Sequence, residues 1–175
     1  MNDPRYPIGK FEAPNEYSAD SIAFMISELE ILPQLLNKTV EGLSDADLEK
    51  TYREGGWTVR QIVHHLADSH VNMYLRLKVT LTEDTPTIKP YDENLWADMK
   101  DAKHAEIALS LPIITAIHQR IVEVLRNMKI EEFDRTYYHP QYDKTLDLKF
   151  MLSLYAWHGK HHVGQIKNAL GLSEA

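Results

Sequence analysis

The sequence predicts an all-α fold, a four-helix bundle, and three observations predict it. Four stretches repeat apolar residues at spacings of three and four, each runs for about 20 residues, and no strand-like alternation of comparable length competes with them. An amphipathic helix must bury its apolar stripe, and four stripes facing one another are the economical way to do so. The 175 residues, 43% of them hydrophobic, suffice for one continuous core, so the whole chain, 1–175, is expected to form a single helical domain.

The first helix is expected from about Ser18 to Glu41. Ile22, Met25, Leu29, Leu32, Leu36 and Val40 share its stripe, and Gly42 follows at a favoured C-cap position. Pro33 interrupts it and predicts a kink or local break, because proline removes a backbone donor and crowds the preceding turn. The second helix should start after Gly55-Gly56-Trp57 with Thr58 as N-cap and run to about Leu81, with Ile62, Leu66, Met73 and Leu77 inward. The third, from about Ser110 to Lys129, carries Ile114, Ile117, Ile121, Leu125 and Met128, with Pro112 tolerated in its first turn. The fourth runs from about Asp147 to Leu170 and stops at Gly171.

The connections are long and unequal, which permits crossovers and leaves simple up-down-up-down order unassured. The segment from Asp84 to Lys103, with Pro86, Pro90 and Trp96, is longer than most structureless loops and reads as a lid or a flexible insertion, whose aromatic residues suggest that it packs on something. Short runs on either side of His139-Pro140-Gln141-Tyr142-Asp143 suggest a small β-hairpin before the last helix.

A net charge of -7 opposes nucleic-acid binding, which needs clustered Lys and Arg to neutralise phosphates. The absence of cysteine excludes disulfides, thiolate ligands and a protein-borne thiol nucleophile, so any metal must be held by nitrogen and oxygen. Met1 to Pro14 lack the apolar core of a signal peptide, and no apolar run approaches the ~20 residues of a membrane span. A soluble cytoplasmic protein without a membrane partner is the resulting expectation.

Nine histidines are present, and five of them fall in two groups, His64-His65 and His158, His161, His162. His158 and His162 are one helical turn apart, and the progression Leu148, Met151, Tyr155, His158, His162, Ile166 puts both on the inward stripe, with His161 rotated off it. Two neutral imidazoles without partners on an apolar stripe would cost a few kcal/mol each, on the order of the usual penalty for buried polar groups. A shared metal ion removes that cost; the plain alternative is that they are surface or hydrogen-bonded core histidines. On the second helix His65 shares a side with Ile62, Leu66, Ser69 and Met73, whereas His64 faces toward Trp57, Asp68 and Val71. His70 lies too far around the helix to share an ion with His65, and His118 reads as a hydrogen-bonded core residue rather than a fourth ligand. His65, His158 and His162 are therefore the candidate metal ligands, with Asp68, Gln165 and, less directly, Gln61 as neighbours that could orient them. His104 and His139 acquire no role.

Gly55-Gly56-Trp57-Thr58-Val59-Arg60-Gln61-Ile62-Val63-His64-His65-Leu66-Ala67-Asp68, followed far downstream by Trp157-His158-Gly159-Lys160-His161-His162-Val163-Gly164-Gln165-Ile166, closely resembles the DinB-like metal-binding bundles. That family opens a helix with Trp-Ser/Thr, continues with His-Leu-x-Asp, and carries His-x-x-His-His-x-Gly-Gln in its last helix. Arg5 to Gly9, Thr82 to Tyr91 and Tyr155 to His162 resemble the YfiT-type metal-dependent hydrolase subgroup, so the resemblance spans nearly the whole chain. It implies an up-down-down-up bundle, ligands at His65, His158 and His162, one Zn2+ or Ni2+ ion per chain, and a homodimer.

The resemblance leaves three functions in view. Hydrolysis of a small ester or amide leads, since three neutral nitrogen ligands leave a coordination position open and an ion so held lowers the pKa of bound water toward ~7. Relatives that use a low-molecular-weight thiol such as bacillithiol make a thiol S-transferase the alternative, to be recognised by basic residues near the metal mouth. A metal-bound stress or binding protein without turnover is the third. No residue stands out as a general base.

Overall fold

The computed structural model describes residues 3–172, so the outermost ends of the expected 1–175 domain lie outside the described residues. Among the described residues seven α-helices form, α1 (Ala19–Val40), α2 (Asp45–Leu48), α3 (Val59–Thr82), α4 (Glu93–Ala97), α5 (Lys100–His104), α6 (Leu111–Arg126) and α7 (Leu148–Leu170). The two strands β1 (Thr136–His139) and β2 (Lys144–Asp147) pair antiparallel, Thr136 opposite Asp147, and make the expected hairpin. The four long helices coincide with the four stripes within a residue or two, except that α6 stops at Arg126 rather than Lys129.

Local chemistry sets the ends. Thr58 Oγ1 accepts from Gln61 N (3.2 Å) while Gln61 Oε1 accepts from Thr58 N (2.9 Å), a reciprocal cap that fixes where α3 begins. Asp147 caps α7 through Phe150 N (2.7 Å), and Gly171, at φ +70°, closes it in the left-handed conformation. Pro33 does not break α1, which runs unbroken through it. The carbonyl of Leu29, four residues earlier, loses its helical donor to the proline and instead accepts from the Nδ1–H of His118 on α6 (2.6 Å).

Both α1 and α3 pack against both α6 and α7. The consecutive long helices α1 and α3 therefore face each other across a diagonal, as do α6 and α7, and the arrangement departs from a simple sequential bundle. Contrary to the sequence expectation, residues Ile107–Arg126 are apolar and long enough to cross a membrane by length and composition, with a mean hydropathy of 1.4. In the fold the stripe Ile114, His118, Ile121, Val122 and Leu125 is buried against neighbouring helices.

The core divides into two apolar clusters. One contains Leu29, Met73, Ile121, Leu152 and Tyr155; the other contains Leu32, Leu66, Ile114, Val163 and Ile166. Along every long helix the change from one cluster to the other falls at the same level. On α6 it falls at His118, on α3 between Ala67 and Met73, and on α7 between Ala156 and Val163. A layer of histidines thus crosses the bundle between two hydrophobic halves.

At that level α7 approaches α1 closely. A Cβ built on Gly159 would lie 2.2 Å from Leu32 Cδ2 and 3.1 Å from its Cγ, and Leu32 is itself fully buried. Gly159→Ala is expected to destabilise the protein by about 1–3 kcal/mol through overpacking, despite the better helix propensity of alanine. Urea denaturation measures this; a more stable variant would contradict the close approach.

The segment after α3 is not a structureless loop. It folds into α4 and α5, which pack on α3, and Gln61 Nε2 donates to Ala97 O (2.7 Å). Before them, Ile88 N donates to Tyr138 O (3.0 Å) and Tyr138 N to Pro86 O (2.9 Å), so this segment also lies along the hairpin.

Candidate metal centre

His65 on α3 and His158 and His162 on α7 come together as their register required. His158 Nε2 lies 3.3 Å from His65 Nε2 and 3.2 Å from His162 Nε2. The three ligand atoms all lie within 4.8 Å of one another. Nitrogens around a tetrahedral ion with bonds of about 2.1 Å are separated by about 3.4 Å, so this spacing fits a single ion.

Hydrogen bonding decides which nitrogen of His162 carries the proton. Gln165 Nε2 donates to Arg5 O (3.1 Å) and to His161 Nε2 (3.0 Å), which leaves its Oε1 to accept from His162 Nδ1–H (2.9 Å). His162 Nε2 is then a bare lone pair facing His158. Burial pushes the imidazoles of His65, His158 and His162 well below the usual histidine range, and the neighbouring histidines push in the same direction, opposed at His162 by its hydrogen bond to Gln165, so all three are neutral. A neutral imidazole whose lone pair faces inward, as at His162, attracts a cation. Trp57 packs against His65 at 4.7 Å between ring centroids and lies nearly parallel to His162, at 17°. The sequence reading had Trp57 on the His64 side; it precedes the helix, where helical angles do not apply.

The remaining candidates separate cleanly. His64 Nε2–H donates to Ala105 O (3.1 Å) and its Nδ1 accepts from Ser110 Oγ (2.7 Å), which ties α3 to the end of the long insertion. Asp68 makes no hydrogen bond to the three histidines among the described residues; burial first, then Asp101, raises its pKa. Gln61 is occupied in the α3 cap. His70 and His118 are fully buried on the far side of His158 from the cluster, where His118 is hydrogen-bonded as expected. His104 is exposed.

A cavity of about 450 Å³ opens onto the three histidines. Tyr91, Glu93 and Asn94 from the insertion contribute to its wall, as do Tyr137, His139 and Tyr142 of the hairpin. His139 is buried and stacks on Tyr142 at 4.2 Å, so it is a wall residue rather than a loop residue without a role. Arg53 and Arg76 also line the cavity, against a single carboxylate, Glu93. Among the described residues Arg76 is held by neutral groups, Tyr155 Oη (3.4 Å), Lys89 O (3.3 Å) and the ring face of Tyr91 (6.0 Å), and its buried Nε has no hydrogen-bond partner. In an acidic protein this wall is locally cationic.

The buried neutral histidines give the metal-free protein an acid-sensitive fold. Burial lowers the His118 imidazole to about 4 from its ordinary 6.5, partly opposed by its bond to Leu29 O. Between those values the unfolded chain binds a proton that the folded chain does not. Stability present above pH about 6.5 is therefore lost as pH falls toward 4, by up to about 3 kcal/mol for this group. After chelation the helical circular dichroism is expected to persist at pH 7, since two apolar clusters remain, while the urea midpoint falls steadily from pH 7 to 5. A pH-independent midpoint would contradict this.

The sequence pattern of the DinB superfamily matches residues 28–166. This chain belongs to the DinB superfamily. It is 44% identical over 161 residues to YfiT of Bacillus subtilis, covering 92% of this chain and 90% of that protein. It is 45% identical over 166 residues to proteins of Bacillus cereus and Oceanobacillus iheyensis, covering 95% of each chain. All three carry provisional metal-dependent hydrolase names. The solved structure of YfiT superposes with a TM-score of 0.90 at 42% identity, over 97% of this chain and 95% of that one; it is described as "a probable metal-dependent hydrolase with an unusual four-helix bundle topology". The diagonal placement of consecutive long helices agrees with that description.

Proposed function

We propose that His65, His158 and His162 hold one divalent ion, Zn2+ or Ni2+, and that the protein is a metal-dependent hydrolase of a small substrate bearing an anionic group. The observation that carries this reading is the convergence of three neutral imidazoles at the floor of an open cavity. When bound there, the ion supplies Lewis acidity and lowers the pKa of water or a thiol that it binds. The chain supplies the rest. Arg76 binds and orients the anionic end of the substrate, Gln165 fixes the tautomer of His162, and Trp57 covers one side of His65 and His162.

One observation favours a second reading. The wall holds two arginines and one carboxylate, which suits an acidic thiol cofactor, and a thiol S-transferase needs no protein carboxylate to remove the thiol proton at a metal. Thiol dependence distinguishes the two. A hydrolase turns over a panel of carboxylate-bearing esters and amides without thiol and stops on chelation. Consumption of an electrophile such as a halogenated aromatic only when a low-molecular-weight thiol is supplied would replace hydrolysis by transfer while leaving the ion site in place.

A further inference from the structure

We propose that His70 and His118 are positioning residues that dictate the tautomer of His158 through a three-imidazole chain ending on a carbonyl exposed by Pro33; this rests on His158 being a metal ligand. The chain has one consistent sense. A carbonyl can only accept, so His118 Nδ1 carries a proton and donates it to Leu29 O (2.6 Å). Neutral His118 then has a bare Nε2, which accepts from His70 Nδ1–H (2.8 Å). His70 in turn has a bare Nε2, which faces His158 Nδ1 (3.3 Å) and accepts its proton. His158 Nε2 is left bare, and it is the atom that faces both His65 Nε2 and His162 Nε2.

Burial makes the sense binding rather than optional. His70 is 0% exposed and His118 1% exposed, so no water is on hand to satisfy a misplaced proton. If His118 or His70 adopted the opposite tautomer, two protons or two lone pairs would face each other along the chain from Leu29 O to His158. Pro33 anchors the end. With any other residue at 33, Leu29 O would receive the helical N–H of that residue; with proline, His118 is the donor the carbonyl has in its place. The four links come from α1, α6, α3 and α7, so the orientation of one ligand is tied to the packing of the whole bundle.

A merely structural role for these histidines predicts a loss of stability with unchanged metal affinity. The positioning role predicts more, since partners of ligating histidines commonly hold about 10–100-fold in metal affinity. Zn2+ affinity is measured by competition with a chromophoric chelator for the wild type, His70→Leu, His118→Leu, His118→Gln and His158→Ala. His118→Leu is expected to weaken Zn2+ binding about tenfold although its ring lies two hydrogen bonds from the ion. His118→Gln, whose amide can donate to Leu29 O and accept from His70, is expected to restore most of that loss. His70→Leu should cost more than His118→Leu. Near-wild-type affinity in both leucine variants would overturn the chain. Near-wild-type affinity in His158→Ala would overturn the ligand assignment itself, which separates the two failures.

A measurement on the unmodified protein guards against variants that fail to fold. Long-range 1H–15N spectra of the metal-free wild type are expected to show His70, His118 and His158 all protonated at Nδ1, the tautomer less favoured by free histidine in water. Protonation of His118 or His70 at Nε2 would overturn the proposal irrespective of any variant.

Discussion

Alanine at His158 or at His162 is expected to lower metal content from about one ion per chain to near zero and activity by more than about 100-fold, beyond the range that outer partners of a metal ligand cost. His158 stands at the centre of the cluster, in contact with both other ligand nitrogens, so its loss leaves two nitrogens on different helices with nothing between them. His65→Ala should behave similarly. His64→Ala should keep the ion, because both nitrogens of His64 are spent on Ser110 and Ala105, and its cost should be seen in stability. Elemental analysis of each purified variant reads the outcome. Metal retained in His65→Ala and lost in His64→Ala would reverse the choice between neighbours.

The second large effect is expected at Arg76. Its guanidinium lines the cavity without a carboxylate partner among the described residues, and a hydrogen bond to a charged group contributes about 1.5–3 kcal/mol. Arg76→Met should therefore lower kcat/KM for anionic substrates by about 10–100-fold, mainly through KM, while leaving metal content unchanged. Neutral analogues should be affected little. Equal losses for charged and neutral substrates would show that Arg76 serves the fold of the cavity wall and does not bind substrate. Arg53→Met provides a comparison at the more exposed rim.

Much of the fold was legible because helical periodicity is a local property. The stripes of α1, α3, α6 and α7 are written at spacings of three and four, and the inward position of His158 and His162 follows from the same count. His65 could be preferred to His64 for the same reason. The hairpin was visible through its turn residues, and its pairing from Thr136 to Asp147 falls inside the expected segment.

What escaped the sequence depends on contacts between elements. The bond from His118 to Leu29 O joins α6 to α1, and the one from His118 to His70 joins α6 to α3; no spacing along either helix encodes them. Pro33 predicts a kink or local break because its missing donor is visible in the sequence and the replacement donor, His118, is not. The cavity wall was equally hidden. His139, Tyr142, Tyr91 and Arg76 reach it from a hairpin, an insertion and the outer part of α3, and only the tertiary fold brings them to the histidines. The one available signal was chemical: Tyr91 and Trp96 in the insertion suggested that it packs on something.

Anomalous diffraction from crystals grown with Zn2+ tests the central claim most directly. One strong peak per chain is expected, about 2.0–2.1 Å from the Nε2 atoms of His65, His158 and His162, with at least one further position facing the cavity. A peak bound through Nδ1 of these residues, centred on His161 or His64, or absent from the cluster at saturating Zn2+ would contradict it.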